Sequence, residues 1–167
     1  LDFNATGNVT LNQFPMFAPA LTNPTNAPYA LHIERGGGWT GRPVLRQRLQ
    51  QNGMLWANKH VAFSATARIE AATQTLTARL DASDGQSLAT LDNMALTNDF
   101  VEYNGNALLP ATSNANVPPN AWVDFKLLLP AACDIYVTSF QLVASNTAAN
   151  FEYEQDTINR QIDHTFH

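Results

Sequence analysis

The chain contains little charge and a single cysteine. Only 14% of its 167 residues are charged, whereas an average globular protein has about 25%. Asn, Thr, Gln and Ser must therefore cover much of the surface. The net charge of −5 argues against non-specific binding to nucleic acid, which requires a basic face. Because Cys133 has no partner in the sequence, an internal disulfide is excluded, and we expect a buried thiol on a strand.

Long apolar runs and catalytic motifs are also missing from the sequence. No stretch approaches the roughly 20 apolar residues of a membrane span, so no membrane partner is expected. No nucleophile elbow, zinc-protease motif or phosphate-binding glycine motif occurs, so we assign no catalytic residue and no cofactor. His164 and His167 have the spacing of two ligands on one helix face, but no further cluster accompanies them, and no metal site is predicted.

The strongest positive signal is the alternation of apolar and polar residues at positions 59–70. Every second residue there is apolar, which is typical of a strand with one face in a core and one near water. The apolar positions are Val61, Phe63, Ala65, Ala67 and Ile69. Similar alternation predicts further strands at 29–34, 44–50, 75–82, 100–109, 122–129 and 133–143.

Two of these predicted strands contain irregularities. The strand at 100–109 should be interrupted at Asn104 and Gly105, which favour a turn. The strand at 133–143 should contain a bulge near Thr138 and Ser139, where its apolar residues change from one face to the other. Several short strands separated by turn residues predict an all-β fold, an antiparallel β-sandwich of jelly-roll type. We place this domain at residues 28–150.

The two ends of the chain depart from this pattern. Residues 1–27 are rich in Asn, Thr and Pro and predict an extended arm or an edge segment, because proline cannot donate to a strand ladder. Residues 151–167 form a tail in which the apolar spacing predicts a short C-terminal helix. The apolar residues of both ends need a covering surface, either their own sandwich or a neighbouring subunit. The candidates for subunit contact are Phe14, Met16, Phe17, Ile158, Ile162 and Phe166.

Aromatic and polar residues near predicted loops indicate a glycan site, since sugars bind to aromatic faces and planar hydrogen-bonding groups. Trp39 lies in a glycine-rich loop and is expected to be either a ligand platform or a protein contact. The candidate glycan-binding residues are Trp39, Arg35, Arg42, Trp56, Tyr103 and Asn104. Trp56 has the alternative of closing one end of the sandwich, and Trp122 is expected to cap the core.

The acidic residues do not form a recognisable catalytic pair. A glycosidase needs two carboxylates about 5–10 Å apart across a cleft. The acids of this chain lie on predicted strand faces or turns, and we expect them to be solvated and partly paired with arginine. They are Glu34, Glu70, Asp81, Asp84, Asp99, Glu102 and Asp124.

Two stretches of the sequence resemble a known family. Residues 44–49 leading into 59–68 resemble a stretch of tailed-bacteriophage fibre and appendage proteins. Residues 133–142, followed by 151–153, resemble the close of the same family. The resemblance covers residues 30–166 and implies a jelly-roll sandwich similar to carbohydrate-binding modules, followed by helical residues.

The sequence departs from this family at the end of the domain. The family's Leu-Glu-x-Gly element is replaced by residues 142–145, Leu-Val-Ala-Ser. Many carbohydrate-binding jelly rolls hold a structural Ca²⁺ through acidic residues in the last strand. The matching residues 136–139 contain no carboxylate, which Ca²⁺ usually requires, so this ion is predicted to be absent.

The resemblance implies a non-enzymatic virion protein that is assembled in the host cytoplasm. It leaves two functions open, of which we favour the first. One is a structural subunit of an appendage, tail fibre or capsid decoration, with other virion proteins as partners and a homo-oligomeric state. The other is a receptor-binding carbohydrate-binding module that attaches a fibre to bacterial surface glycan. A polysaccharide-degrading enzyme is a remote alternative. Since the chain begins at Leu1 and ends within a patterned segment, we expect it to be a piece of a longer polypeptide.

Overall fold

The computed structural model describes residues 2–4, 9–16, 27–36, 44–52, 57–70, 72–82, 85–110, 122–130 and 132–145. Within these ranges the protein consists of ten β-strands. They are β1 (Asp2–Asn4), β2 (Val9–Pro15), β3 (Tyr29–Arg35), β4 (Val44–Asn52), β5 (His60–Ile69), β6 (Gln74–Ala82), β7 (Ser87–Leu96), β8 (Val101–Leu108), β9 (Trp122–Leu128) and β10 (Cys133–Val143).

Several sequence predictions fall outside the described residues. These are the C-terminal helix, the histidines at 164 and 167, the acid Asp84, and the candidates Phe17, Trp39, Arg42, Trp56, Ile158, Ile162 and Phe166. Among the residues that are described, no helix is long and apolar enough to cross a membrane.

The strands form two five-stranded antiparallel sheets that enclose one core. Sheet A has the order β1-β4-β9-β6-β7, and sheet B has the order β2-β3-β10-β5-β8. Three phenylalanines meet between the sheets: Phe125 of sheet A lies 5.8 Å from Phe63 and 4.9 Å from Phe140 of sheet B, measured between ring centroids. The predicted all-β antiparallel sandwich is confirmed.

The alternation at residues 59–70 correctly identifies the inner face of β5. Val61, Phe63 and Ile69 are fully buried in the core, as predicted. The opposite face is also buried, because Ser64 and Thr66 are only 2% and 3% exposed. The prediction that this face lies near water is therefore wrong. Alternation separates the two faces of a strand, but it does not reveal what covers either one.

The bulge predicted in the last strand is confirmed. The register between β10 and β5 shifts between Thr138 and Gln141, and Ser139 has a φ of 52°. The shift allows Val137 and Phe140, which lie on opposite faces by simple alternation, to line the same interior cavity.

The interruption predicted within 100–109 is wrong, since β8 runs without a break from Val101 to Leu108. Gly105 instead permits close packing: a Cβ on this residue would lie 2.0 Å from the carbonyl oxygen of Leu91 on β7. Glycine is therefore required where the neighbouring edges of the two sheets meet. Strand β7 itself escaped prediction because a register shift between Thr90 and Asp92 breaks its alternation.

The described parts of residues 1–27 belong to the sandwich. β1 pairs with β4 at one edge of sheet A, and β2 pairs with β3 at one edge of sheet B. Of the two predicted alternatives, these residues form edge strands of the sandwich. A separate N-terminal arm is not supported. Met16, which follows β2, is 2% exposed and packs with Ala30 and Tyr136. Its own sandwich covers it, so Met16 does not offer a surface to another subunit.

Candidate functional site

The outer face of sheet A carries an ordered set of charged side chains. Arg46, Lys126 and Arg79 occupy matching positions on the neighbouring strands β4, β9 and β6, and they form a cation row. Two residues further along each strand, the next row consists of Arg48, Asp124 and Asp81. We call these six residues the charge grid. All six share one face because residues two apart on a strand point to the same side.

Each carboxylate of the charge grid contacts two cations. Asp81 Oδ2 lies 2.7 Å from Lys126 Nζ, and Asp81 Oδ1 lies 2.8 Å from Arg79 Nε. Asp124 Oδ1 accepts a hydrogen bond from Arg48 Nε at 3.3 Å, and its other oxygen lies 3.9 Å from Arg46 Nη1. Pairing of this kind offsets the cost of removing a carboxylate from water.

The carboxylates of the charge grid lie beneath the cations. The side chains of Asp81 and Asp124 are 0% and 4% exposed, whereas that of Arg48 is 47% exposed. The prediction that these two acids are paired with arginine is confirmed, but the prediction that they are solvated is wrong. Four cations surround two carboxylates, and a third acid, Asp2, occupies the position of β1 opposite Arg46, so these residues carry one more positive than negative charge on a chain whose net charge is −5.

Trp122 extends the charge grid at the start of β9. It is 39% exposed, and the guanidinium carbon of Arg48 lies 3.9 Å from the centroid of its ring. Val123 and Phe125 point into the core, so alternation places Trp122 on the outer face with Asp124. The prediction that Trp122 caps the core is therefore wrong, although the same alternation could have identified its true position.

The outer face of sheet B carries aromatic rings that pack on one another. His32 stacks on Tyr136 with ring centroids 4.3 Å apart, and Phe14 meets Tyr136 edge to face at 4.9 Å. His32 Nε2 also lies 2.6 Å from a carboxylate oxygen of Asp134. Tyr136 is only 9% exposed, and desolvation by burial is the main reason that its pKa is raised above the ordinary value. Phe14, a candidate for subunit contact, therefore packs against residues of its own chain in this cluster.

An apolar cavity of about 350 Å³ lies between the two sheets. Among the described residues that line it, none is ionisable. The lining consists of Leu31, Leu45, Gln47, Phe125, Leu127, Val137 and Phe140.

The described glycan candidates do not come together in one site. Arg35 is 3% exposed and its Nη1 donates to the carbonyl of Pro130 at 3.1 Å, which gives it a structural role and corrects the prediction of a sugar contact. Tyr103 is half-buried and its hydroxyl donates to the carbonyl of Ala95 at 2.8 Å. Asn104, the next residue on β8 of sheet B, points to the opposite side of the strand and is exposed beside Glu102.

The remaining predictions concern the thiol, the other acids and metals. Cys133 is buried, as predicted, and burial is the main cause that raises its pKa to about 11. Within the described ranges, the acids Glu34, Glu70, Asp99 and Glu102 are exposed. No group of three or more potential metal ligands occurs among the residues that the structure covers.

Comparison with known proteins yields similarity at the level of structure alone. No family model matches the chain, and no curated protein matches its sequence. A cyclase from Fischerella sp. TAU aligns with a TM-score of 0.60 and 14% identity, over 89% of this chain and 77% of that one. The C-terminal family 22 carbohydrate-binding module of Clostridium thermocellum Xyn10B aligns with a TM-score of 0.56 and 15% identity, over 88% and 87% of the two chains.

The fold is that of a carbohydrate-binding-module sandwich. The enzymatically active domain of bacteriophage CBA120 tailspike protein 4 also aligns, with a TM-score of 0.52 and 15% identity. The alignment covers 84% of this chain but only 19% of the tailspike chain. At such low identities these likenesses establish the fold alone, and membership of the phage fibre family remains a prediction.

Proposed function

We propose that this protein is a non-enzymatic glycan-binding module and that its binding surface is the outer face of sheet A. The observation that carries this proposal is the exposed indole of Trp122, which lies beside the charge grid on the same rigid sheet. An aromatic ring can stack on the apolar face of a sugar, while guanidinium groups donate paired hydrogen bonds to its oxygens.

The position of the site on paired strands favours binding. Lys126 and Asp124 lie on β9, which is hydrogen-bonded to β4 on one side and to β6 on the other. Side chains fixed by ion pairs lose little further freedom when a ligand arrives, which lowers the cost of binding. The outer face of sheet B offers a less suitable surface, because the ring at its centre, that of Tyr136, is buried.

The carboxylates of the charge grid are poorly suited to catalysis. Asp81 and Asp124 are directly opposite each other on β6 and β9, as a glycosidase pair could be. Each is nevertheless paired with two cations and lies beneath them, so neither reaches a sugar as a free acid or nucleophile. This arrangement supports a binding function over the hydrolysis of polysaccharide.

We further propose that the module acts in a bacteriophage virion, as a fibre or appendage component that attaches to a bacterial surface glycan. The resemblance of residues 44–49 and 59–68 to fibre proteins supports this setting, and so does the structural likeness to a tailspike domain. Other virion proteins and further copies of the chain are the proposed partners.

A glycan array with the purified chain tests the proposed function. We expect at least one bacterial surface glycan to bind, with Trp122→Ala weakening the affinity by about tenfold or more, as expected for the loss of a central aromatic contact. Tyr29→Ala is the matched control, since Tyr29 is also an exposed aromatic residue, at 49%, but lies on sheet B.

Two outcomes would contradict the proposal. One is the absence of binding to every glycan, or binding that Trp122→Ala and Tyr29→Ala weaken equally. The other is cleavage of a bound polysaccharide by the purified chain, which would replace the binding function with an enzymatic one.

A further inference from the structure

The excess of cations in the charge grid indicates which class of glycan would bind. Resting on the proposed function, we propose that the ligand is an acidic polysaccharide, whose carboxylate or sulfate groups pair with the cation row of Arg46, Lys126 and Arg79. Within the grid, these three residues and Arg48 accompany two carboxylates, and Asp2 occupies the position of β1 opposite Arg46, so four cations stand against three acids. A neutral sugar would add no anion to this surface.

The spacing of the cation row suits an extended anionic chain. Adjacent strands of a sheet are about 4.8 Å apart, so the three backbone positions of the row span roughly 10 Å across β4, β9 and β6. Like charges on directly opposite residues repel one another. An anionic group placed against the row would relieve that repulsion, so binding of an acidic glycan should also stabilise the fold.

The two sides of the cation row differ in charge. On one side lie the carboxylates Asp81 and Asp124. On the other side the matching positions of β4, β9 and β6 hold Val44, Leu128 and Thr77, none of which is charged. Leu128 and Thr77 are only 6% and 7% exposed, so this side of the cation row is uncharged but largely covered, and an anion has to contact the cations themselves.

The buried carboxylates act as positioning residues in this proposal. Asp81 holds Lys126 and Arg79 at 2.7 and 2.8 Å, and Asp124 holds the two arginines of β4. Cations that are fixed before the ligand arrives gain more from an added anion than mobile surface lysines do. The net charge of −5 on the protein repels every polyanion, so an acidic glycan must also gain from the contact of its sugar rings with Trp122.

The effect of ligand charge on affinity can be separated from that of the sugar by comparing polymers with and without their carboxylates. Polygalacturonate and alginate are each compared by isothermal titration calorimetry with their carboxyl-reduced, neutral forms, and heparin supplies a sulfated member. At 50 mM NaCl we expect an acidic polymer to bind about tenfold or more tightly than its neutral partner. At 1 M NaCl, where the screening length falls to about 3 Å, this difference should largely disappear.

Substitutions in the cation row test the assignment to residues. Arg79→Gln leaves Lys126 on Asp81, and Arg46→Gln leaves Arg48 on Asp124, so each buried carboxylate keeps a partner. Each variant should lose about tenfold in affinity for the acidic polymer. Lys59→Gln is the matched control, because it removes one exposed positive charge next to β5 of sheet B. The salt dependence of the unmodified protein remains informative even if a variant fails to fold.

The outcomes distinguish this inference from the proposed function. If neutral glycans bind through Trp122 as well as acidic ones do, the proposed function stands and the acidic ligand is wrong. If double-stranded DNA binds as tightly as the acidic polymers, or if Trp122→Ala leaves their binding intact, the grid is a general polyanion surface and the inference fails. If no glycan of either kind binds, both proposals fail.

Discussion

The outer faces of the two sheets are held together by different kinds of side-chain contact. On sheet A, buried carboxylates hold a layer of cations whose side chains remain partly exposed, from 17% to 47%. On sheet B, the central residues are rings that pack on one another, with Tyr136 between His32 and Phe14. On sheet A the polar side chains are thus held in place and stay partly exposed. On sheet B the outer side chains pack on one another and shield one another from solvent. The difference supports the proposal that sheet A is the binding surface, with sheet B as a stabilising one.

The central strands of the two sheets show this contrast most directly. β9 of sheet A presents Trp122, Asp124 and Lys126 outward, and β10 of sheet B presents Asp134 and Tyr136 outward. Trp122 is 39% exposed and Tyr136 is 9% exposed. An aromatic residue that points outward from a strand can therefore either bind a ligand or pack against nearby side chains. The residues around it determine which role it has.

The largest expected effect is the loss of a carboxylate beneath the charge grid. Asp81→Asn leaves Arg79 and Lys126 without their negative partner, in a row that already contains Arg46. Breaking a buried ion pair from one side costs roughly 3–5 kcal/mol. We expect a loss of this size in the free energy of unfolding, measured by urea denaturation at pH 7.

The control for this prediction is Asp99→Asn, which changes an exposed acid in the turn between β7 and β8. This variant should alter the free energy of unfolding by less than about 0.5 kcal/mol. If Asp81→Asn proved as mild as Asp99→Asn, the carboxylates would not hold the cations, and the contrast between the two faces would lose its basis.

The next effect concerns the two outward aromatic residues. Tyr136→Ala should destabilise the fold by roughly 3 kcal/mol, because it removes a buried ring that contacts two others. Trp122→Ala should cost less than about 1 kcal/mol, the scale of an exposed cation–π contact. Thermal denaturation followed by circular dichroism compares the variants, with Tyr136→Phe as a control that keeps the ring. The reverse order of stabilities would assign the structural role to sheet A.

The free energy of unfolding should fall at alkaline pH because of Cys133, the first residue of β10 in sheet B. Burial raises the pKa of Cys133 from its ordinary 9.0 to about 11 in the folded protein. Below pH 9 the thiol is protonated in both states. Between pH 9 and 11 it ionises only in the unfolded chain, so stability falls as pH rises, by about 2–3 kcal/mol in total.

The contribution of the thiol can be isolated by substitution. The free energy of unfolding is measured at pH 8 and pH 10.5 for the unmodified protein and for Cys133→Ala. Tyr103 and Tyr136, whose pKa values are also raised by burial, are present in both proteins and affect them alike. The fall between the two pH values should be smaller in Cys133→Ala, and an equal fall in both proteins would refute the assignment.

The sequence predicts the interior of this protein better than its surfaces. Alternation identifies the inner residues of β5 because burial in a shared core imposes a period of two. It also locates the bulge near Ser139, where the apolar positions change face. It misses β7, where a register shift disturbs the period, and it misreads Gly105 as a turn because the nearby carbonyl of Leu91 is distant in sequence.

The candidate site was accessible to sequence reasoning only in part. Asp81 and Asp124 lie 43 positions apart in the chain and become neighbours only through the pairing of β6 with β9. Strand order is a long-range property that local periodicity does not contain. Trp122 is different: its outward position follows from the inward Val123 and Phe125, so closer attention to the alternation would have placed it correctly.

The smallest expected effect is the loss of a carboxylate from the outer face of sheet B. The side chain of Asp134 is 40% exposed, and its Oδ1 lies 2.6 Å from Nε2 of His32. Asp134→Asn keeps an oxygen that can accept a hydrogen bond from the imidazole of His32. Exposed ion pairs contribute at most about 1 kcal/mol to the free energy of unfolding. We expect the free energy of unfolding at pH 7 to fall by less than this, far less than with Asp81→Asn. A loss above about 2 kcal/mol would show that sheet B, like sheet A, depends on charge to hold its outer face.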